Sequence, residues 1–210
     1  MEGVTTEMLS VNLPPLPRAS SPSRSFIYFA SVYESPIKFQ ELEKNETDGL
    51  IECSIFGFTH ANLALPLHNH PDIHGFIKVI RGKIQIKSFS WLDPDEEQKL
   101  MKLNMASGDH LLHHKKPVRF AGKTIISSED KTIASLCPQI GNIHTIQSLE
   151  DGAAFFDLLI PGYIGRPCTY YADEVENPNF DEIYWLRTIP EPFCARTMRS
   201  MPYDSIHWLD

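Results

Sequence analysis

From Gly49 onward the sequence is a succession of short apolar runs broken by turn residues. Ile51 to Phe58, Gly75 to Arg81, Lys83 to Trp91, Val118 to Ile126, Thr132 to Cys137, Ile143 to Leu149 and Ala154 to Ile160 all read as strands. Their β-branched and aromatic residues suit a pleated, half-buried surface. Strands at this spacing indicate a sandwich or a barrel, so the expected fold class is all-β. The runs HGFIKVIR and KIQIKSFSWL are separated only by Gly82. Glycine takes positive φ without penalty, and the two runs are expected to pair as a hairpin.

The chain ahead of these strands has a different character. Residues 1–25 are expected to form a flexible arm, because NLPPLPRASSPSRS within it is rich in Pro, Ser and Arg and has little to bury. Ser35 and Pro36 look like an N-cap and a first-turn proline, so one short helix is expected over IKFQELEKN, ending near Asn45. The acidic DPDEEQK, Asp93 to Lys99, and GDHLLHHKKP, Gly108 to Pro117, read as loops. A length of 210 residues with 42% hydrophobic content suits a single domain over residues 26–210.

Several classes of function are disfavoured. The net charge is −8 and the 19 Lys and Arg residues are scattered, so nucleic acid is not an expected partner. Met1 to Ser10 has no apolar core of a secretion signal, and no stretch approaches the ~20 apolar residues that span a bilayer. A soluble cytoplasmic protein is expected, with the nucleus also admissible, acting as a monomer. Cys53, Cys137, Cys168 and Cys194 lie far apart without paired spacing, which fits reduced thiols rather than a disulfide framework.

The most informative stretch is PLHNHPDIHG, Pro66 to Gly75. His68 and His70 stand at i and i+2, and on an extended strand such side chains project to one face. They can chelate one ion together, but a third ligand must come from a distant strand. His144 is the candidate, in PQIGNIHTI, where Pro138 and Gly141 turn the chain into a strand. Three neutral imidazoles would bind a borderline divalent ion and leave positions open for substrate. Zinc would fit such a set as well as iron. His60, His110, His113, His114 and His207 read as surface or hydrogen-bonded residues rather than ligands.

H-x-H, then a glycine, then a downstream P-x-x-G-x-x-H resembles the two cupin motifs. The resemblance implies a cupin double-stranded β-helix, a jelly-roll-like barrel, here with the short N-terminal helical segment added. The usual cupin has a glutamate four or five residues after its second histidine, where this sequence has His74 and Gly75. A three-histidine site without that carboxylate resembles the thiol dioxygenases. PLHNHPDIHGFIKVIRGKIQIKSFSWLD, GNIHTI, AAFFDLLIPGY and RPCTYY are similar, in order, to the cysteamine (2-aminoethanethiol) dioxygenase and plant cysteine oxidase family.

That family likeness implies Fe(2+) on His68, His70 and His144. It places Asp157 and Tyr163 beside the iron pocket, where they help place substrate or oxygen. Cys168 and Tyr170 match positions that can be joined by a thioether crosslink in the animal enzyme. The implied partners are O2 and a thiol bearing a vicinal amine, either a Cys-initiated peptide or protein or cysteamine. The implied product is the sulfinic acid, a step not readily reversed. On a protein N-terminus that oxidation would act as an oxygen sensor feeding N-degron turnover. The rival readings are a different metal-dependent cupin enzyme, which should keep the fourth carboxylate, and a non-catalytic metal-binding cupin.

Overall fold

The computed structural model describes residues 25–37, 49–107, 112, 115–163 and 167–201. In chain order the strands begin with β1 (Ile27–Ile37), β2 (Gly49–Phe58), β3 (Ala64–His68), β4 (His74–Arg81) and β5 (Lys83–Trp91). Helix α1 (Pro94–Ser107) precedes β6 (Lys115–Ser127), β7 (Ala134–Leu136), β8 (Ile143–Ser148) and β9 (Ala154–Ile160). The chain closes with β10 (Tyr170–Tyr171), β11 (Ile183–Ile189), the short helix α2 (Phe193–Arg196) and β12 (Arg199–Ser200).

One six-stranded sheet has the order β12-β1-β2-β9-β4-β7. The other runs β10-β11-β6-β5-β8-β3 and closes on itself, because Tyr170 of β10 pairs with His68 of β3. All pairings are antiparallel except β1 with β12. Phe58, Ile77, Val79 and Phe155 from the first sheet meet Leu65, Ile84, Ile86, Ile126 and Ile146 from the second in one core. Burying each large side chain contributes roughly 1.5–3 kcal/mol. The closed sheet holds a second core of Leu67, Phe89, Val118, Phe120, Ile143, Tyr171 and Leu186. This is the all-β, jelly-roll-like barrel of the cupin type that the sequence implies.

Every strand expected after Gly49 is present, with ends that move by a few residues. The expected hairpin is not. β4 pairs with β7 and β9, whereas β5 pairs with β6 and β8, so Gly82 carries the chain from one sheet to the other. Its φ of +67 turns the chain sharply, and a single linking residue is too few for the two-residue loop of a tight hairpin.

Two further expectations are corrected. Ser35, Pro36 and Ile37 do not start a helix but end β1, opposite Ile51, Leu50 and Gly49. The rest of that expected helix, and residues 1–24 of the arm, lie outside the described residues. Asp93 to Lys99 is not a loop but the start of α1. Asp93 Oδ1 accepts the Asp95 N–H at 2.9 Å, Pro94 opens the helix, and Asp95, Glu96 and Glu97 fill its positive first turn. Of the second expected loop, Lys115 to Pro117 is the beginning of β6. No described helix is long and apolar enough to cross a membrane.

Candidate metal centre

The strand that carries the first histidine is irregular where it matters. Leu65 lies in the core between the sheets, yet Leu67, at the same parity, lies in the core of the closed sheet. A register shift between Leu65 and His68 accounts for this, and it turns His68 toward the space between the sheets. His70 falls two residues beyond the end of β3, so the expected i, i+2 pair is half on the strand and half on the turn that follows. His144 is the second residue of β8, directly opposite His68 on one side and Ser88 on the other.

Buried side-chain amides hold the turn. Asn142 is fully buried; its Oδ1 accepts the His70 N–H at 3.1 Å and its Nδ2 donates to the His70 carbonyl at 2.7 Å. The same amide donates to Cys137 O at 3.1 Å and accepts from Trp91 Nε1 at 3.2 Å. Asn69 ties the turn to the segment before β10: its N–H donates to Thr169 O at 3.1 Å and its Oδ1 accepts the Thr169 N–H at 2.7 Å.

The three imidazoles converge. Their ring centroids are 4.8, 4.9 and 4.8 Å apart, and one nitrogen from each lies within 4.8 Å of the others. His70 Nε2 and His144 Nε2 are 3.1 Å apart. Two nitrogens bound to one ion at ~2.1 Å and at right angles would stand about 3 Å apart, so the spacing fits a metal. His68 Nδ1 donates to Pro66 O at 2.8 Å. The Tyr163 hydroxyl donates to Asn69 O at 3.1 Å and lies 2.7 Å from His70 Nδ1, whose N–H it accepts. Both contacts reserve the Nε2 lone pairs for a cation.

The electrostatics agree with that geometry. Burial lowers the pKa of all three imidazoles, and it takes His70 and His144 well below the ordinary 6.5, with neighbouring imidazoles adding to the effect. Neutral rings are the form that binds metal. No carboxylate belongs to the convergent group, which consists of His68, His70 and His144 alone among the described residues.

The triad opens on a cavity of about 270 Å³. Asp157, Tyr163, Cys168 and Tyr170 all line it, so every site residue expected from the sequence is brought to one place. Asp157 is 8% exposed, and burial, reinforced by Glu52, raises its pKa to about 7. The Cys168 thiol is pushed up to about 11 by burial, against hydrogen-bonding contacts with Tyr170, Asn69 and Tyr163 that partly offset it. Burial also raises the Tyr163 and Tyr170 phenols, with the neighbouring thiol as a further cause. Cys53, Cys137, Cys168 and Cys194 are free thiols.

Other expectations stand apart from the cavity. His60 Nδ1 lies 3.0 Å from Thr59 Oγ1, and His74 is exposed at the start of β4. His110, His113, His114 and His207 lie outside the described residues. The sequence reading missed Glu52, which lines the cavity, and Asn142 and Asn69, which clamp the ligand turn. Asn142 had a signal, since a polar residue sits in GNIH at the entry to a buried strand. Glu52 had none, because its partners are distant in sequence.

Comparison with known proteins follows the same direction. The family model PCO_ADO matches residues 11–206. The chain is 32% identical over 121 residues to a probable 2-aminoethanethiol dioxygenase of Dictyostelium discoideum, covering 56% of this chain and 49% of that protein. It is 32% identical over 134 residues to 2-aminoethanethiol dioxygenase of Homo sapiens, covering 60% and 49%. Plant cysteine oxidase 2 of Arabidopsis thaliana is 30% identical over 116 residues, covering 52% and 36%. The chain therefore spans about half, or less, of the length of these relatives. Among solved structures, KdgF from Halomonas sp. superposes with a TM-score of 0.38 at 12% identity, covering 69% of this chain and 85% of that one, which is too loose to speak to function.

Proposed function

The chain belongs to the PCO_ADO family, and from that premise we propose that it is an iron(II)-dependent thiol dioxygenase. Its substrate is a thiol bearing a vicinal amine, the N-terminal cysteine of a protein or cysteamine, and its product is the sulfinic acid. The observation that carries this reading is the convergence of three neutral imidazoles with no carboxylate among them. The reaction adds both atoms of one O2 to sulfur, R–SH + O2 → R–SO2H, and needs no external reductant.

When bound, iron would supply the Lewis acidity that ionises the thiol and the redox chemistry that lets dioxygen react with sulfur. His68, His70 and His144 would hold it. The Tyr163 hydroxyl, between Asn69 O and His70 Nδ1, keeps one of those rings in place. Asp157 and Glu52 put carboxyl groups on the cavity wall, and no Lys or Arg is among the described lining residues. Those two carboxyl groups suit a substrate with a cationic amine. Cys168 and Tyr170 also line the cavity with their side chains in contact, as a thioether between them would require. A crosslink there is part of this reading.

Oxidation of a protein N-terminus would be a lasting mark. In the cytoplasm or nucleus the enzyme would then act as an oxygen sensor feeding N-degron turnover. The test is mass spectrometry of a Cys-initiated peptide, and of cysteamine, after incubation in air with iron-loaded protein. A gain of two oxygen atoms on the thiol is expected, and it is lost in His144→Ala. If neither thiol gains oxygen, the reading fails.

A further inference from the structure

Glu52 lies on β2, two residues from Ser54, whose partner across the sheet is Asp157 of β9. Its face is therefore the one turned to the cavity. From there its side chain reaches the segment that follows β9, where Oε1 accepts the Tyr163 N–H at 3.1 Å. Gly162 makes the approach feasible, because a methyl group at that position would collide with the Cγ, Cδ and Oε1 atoms of Glu52. Gly162 is not among the positive-φ glycines, so space rather than backbone conformation requires the glycine. The other end of Tyr163 is the hydroxyl that lies 2.7 Å from His70 Nδ1. A continuous chain of contacts thus runs from β2 through Glu52 and Tyr163 to an imidazole of the triad.

We propose that Glu52 is a positioning residue of the metal centre, whose carboxylate fixes the Tyr163 main chain and so the phenol that orients the His70 ring. This role rests on reading His70 as a metal ligand. Groups that hydrogen-bond to ligands commonly tune metal affinity by ten- to a hundred-fold. Glu52 acts one step further out, and its effect passes through Tyr163.

The experiment is cobalt(II) titration of the metal-free protein, followed by visible absorption and without any thiol, so that its outcome does not depend on oxidation chemistry. Glu52→Ala is expected to weaken cobalt binding about ten-fold and to alter the ligand-field bands as Tyr163→Phe does. The double variant should bind no more weakly than the poorer single one. Glu52→Gln keeps an oxygen acceptor for the Tyr163 N–H and should restore wild-type affinity and spectrum. Gly162→Ala, which leaves Glu52 in the chain but pushes its side chain away, should reproduce the Glu52→Ala spectrum. Circular dichroism checks that each variant is folded, and Gly162→Ala, which displaces the same side chain and should weaken cobalt binding likewise, carries the comparison if Glu52→Ala is not. The role is overturned if Glu52→Ala binds cobalt as the wild type does, if its effect adds to that of Tyr163→Phe, or if Glu52→Gln gives no rescue. A wild-type protein that binds no cobalt overturns the metal centre itself, and this role with it.

Discussion

Asn142 grips His70 by both main-chain groups, accepting its N–H at 3.1 Å and donating to its carbonyl at 2.7 Å. One buried amide thereby does what a paired strand would do for a residue that has left its strand.

Removing that amide should therefore damage both fold and site. Asn142→Ala leaves buried main-chain groups without partners, each costing about 1–3 kcal/mol. A loss of roughly 2–4 kcal/mol in urea unfolding is expected, together with at least ten-fold weaker metal binding. Asn142→Asp should be no better, since it removes the donor to His70 and Cys137 and brings a charge into a site without solvent. A wild-type unfolding curve for Asn142→Ala would refute the clamp.

Asp157 makes stability depend on pH in a defined direction. Its folded pKa of about 7 lies above the ordinary 3.8, so the folded state binds the proton more tightly than the unfolded chain. Stability from this group is fully present below pH 3.8 and is lost as pH rises through 7. Asp157→Asn removes that dependence. In the metal-free protein, the stability of the variant relative to wild type should rise by up to roughly 1.4 kcal/mol per pH unit between those values, then level off. Parallel curves for the two proteins would show that Asp157 is not held protonated.

The three histidines give the opposite slope. Burial depresses their folded pKa values below 6.5, so the unfolded chain takes up protons first and stability is lost as pH falls below 6.5. Metal binding should weaken over the same range, because each ligand must stay unprotonated. Cobalt titrations at a series of pH values check this. In the single variants His68→Ala, His70→Ala and His144→Ala the dependence on pH should become shallower.

The thiols should differ sharply toward alkylating agents. Cys194 is exposed, whereas Cys168 is half-buried with a pKa near 11, and so it holds little thiolate at neutral pH. Iodoacetamide followed by peptide mapping should label Cys194 well before Cys168. Protein in which the thioether has formed should never be labelled at Cys168, and its mass should be lower by two hydrogens. Equal labelling of the two cysteines would contradict the buried setting of Cys168.

What could be read from the sequence was whatever local periodicity or short spacing encodes. Short apolar runs bounded by turn residues marked β5 and β9 to the residue, and H-x-H marked two donors that chelation makes useful together. The misreadings came from signals with two meanings. Asp93, Pro94 and the acids after them are polar enough for a loop, yet they are also the residues that start a helix. Ser35 and Pro36 can cap a helix, yet ten residues of β2 opposite them offer a ladder, and pairing decided the outcome. Glu52 was invisible because it meets Tyr163 across 111 residues of chain, and Gly162 explains itself only by that meeting. The change of sheet at Gly82 was equally hidden, since it depends on which strands arrive later.

The pairing of Tyr170 with His68 imposes an order on assembly. The strand bearing the first ligand is seamed along one edge to β10, while Asn69 is tied to Thr169 across 100 residues of sequence. A growing polypeptide displays its third imidazole well before it contains the segment that seats the first. Maturation of the centre is thus coupled to synthesis of the later segment: a truncated or ribosome-stalled product ending between His144 and Thr169 owns every ligand and still lacks the edge that seats the first.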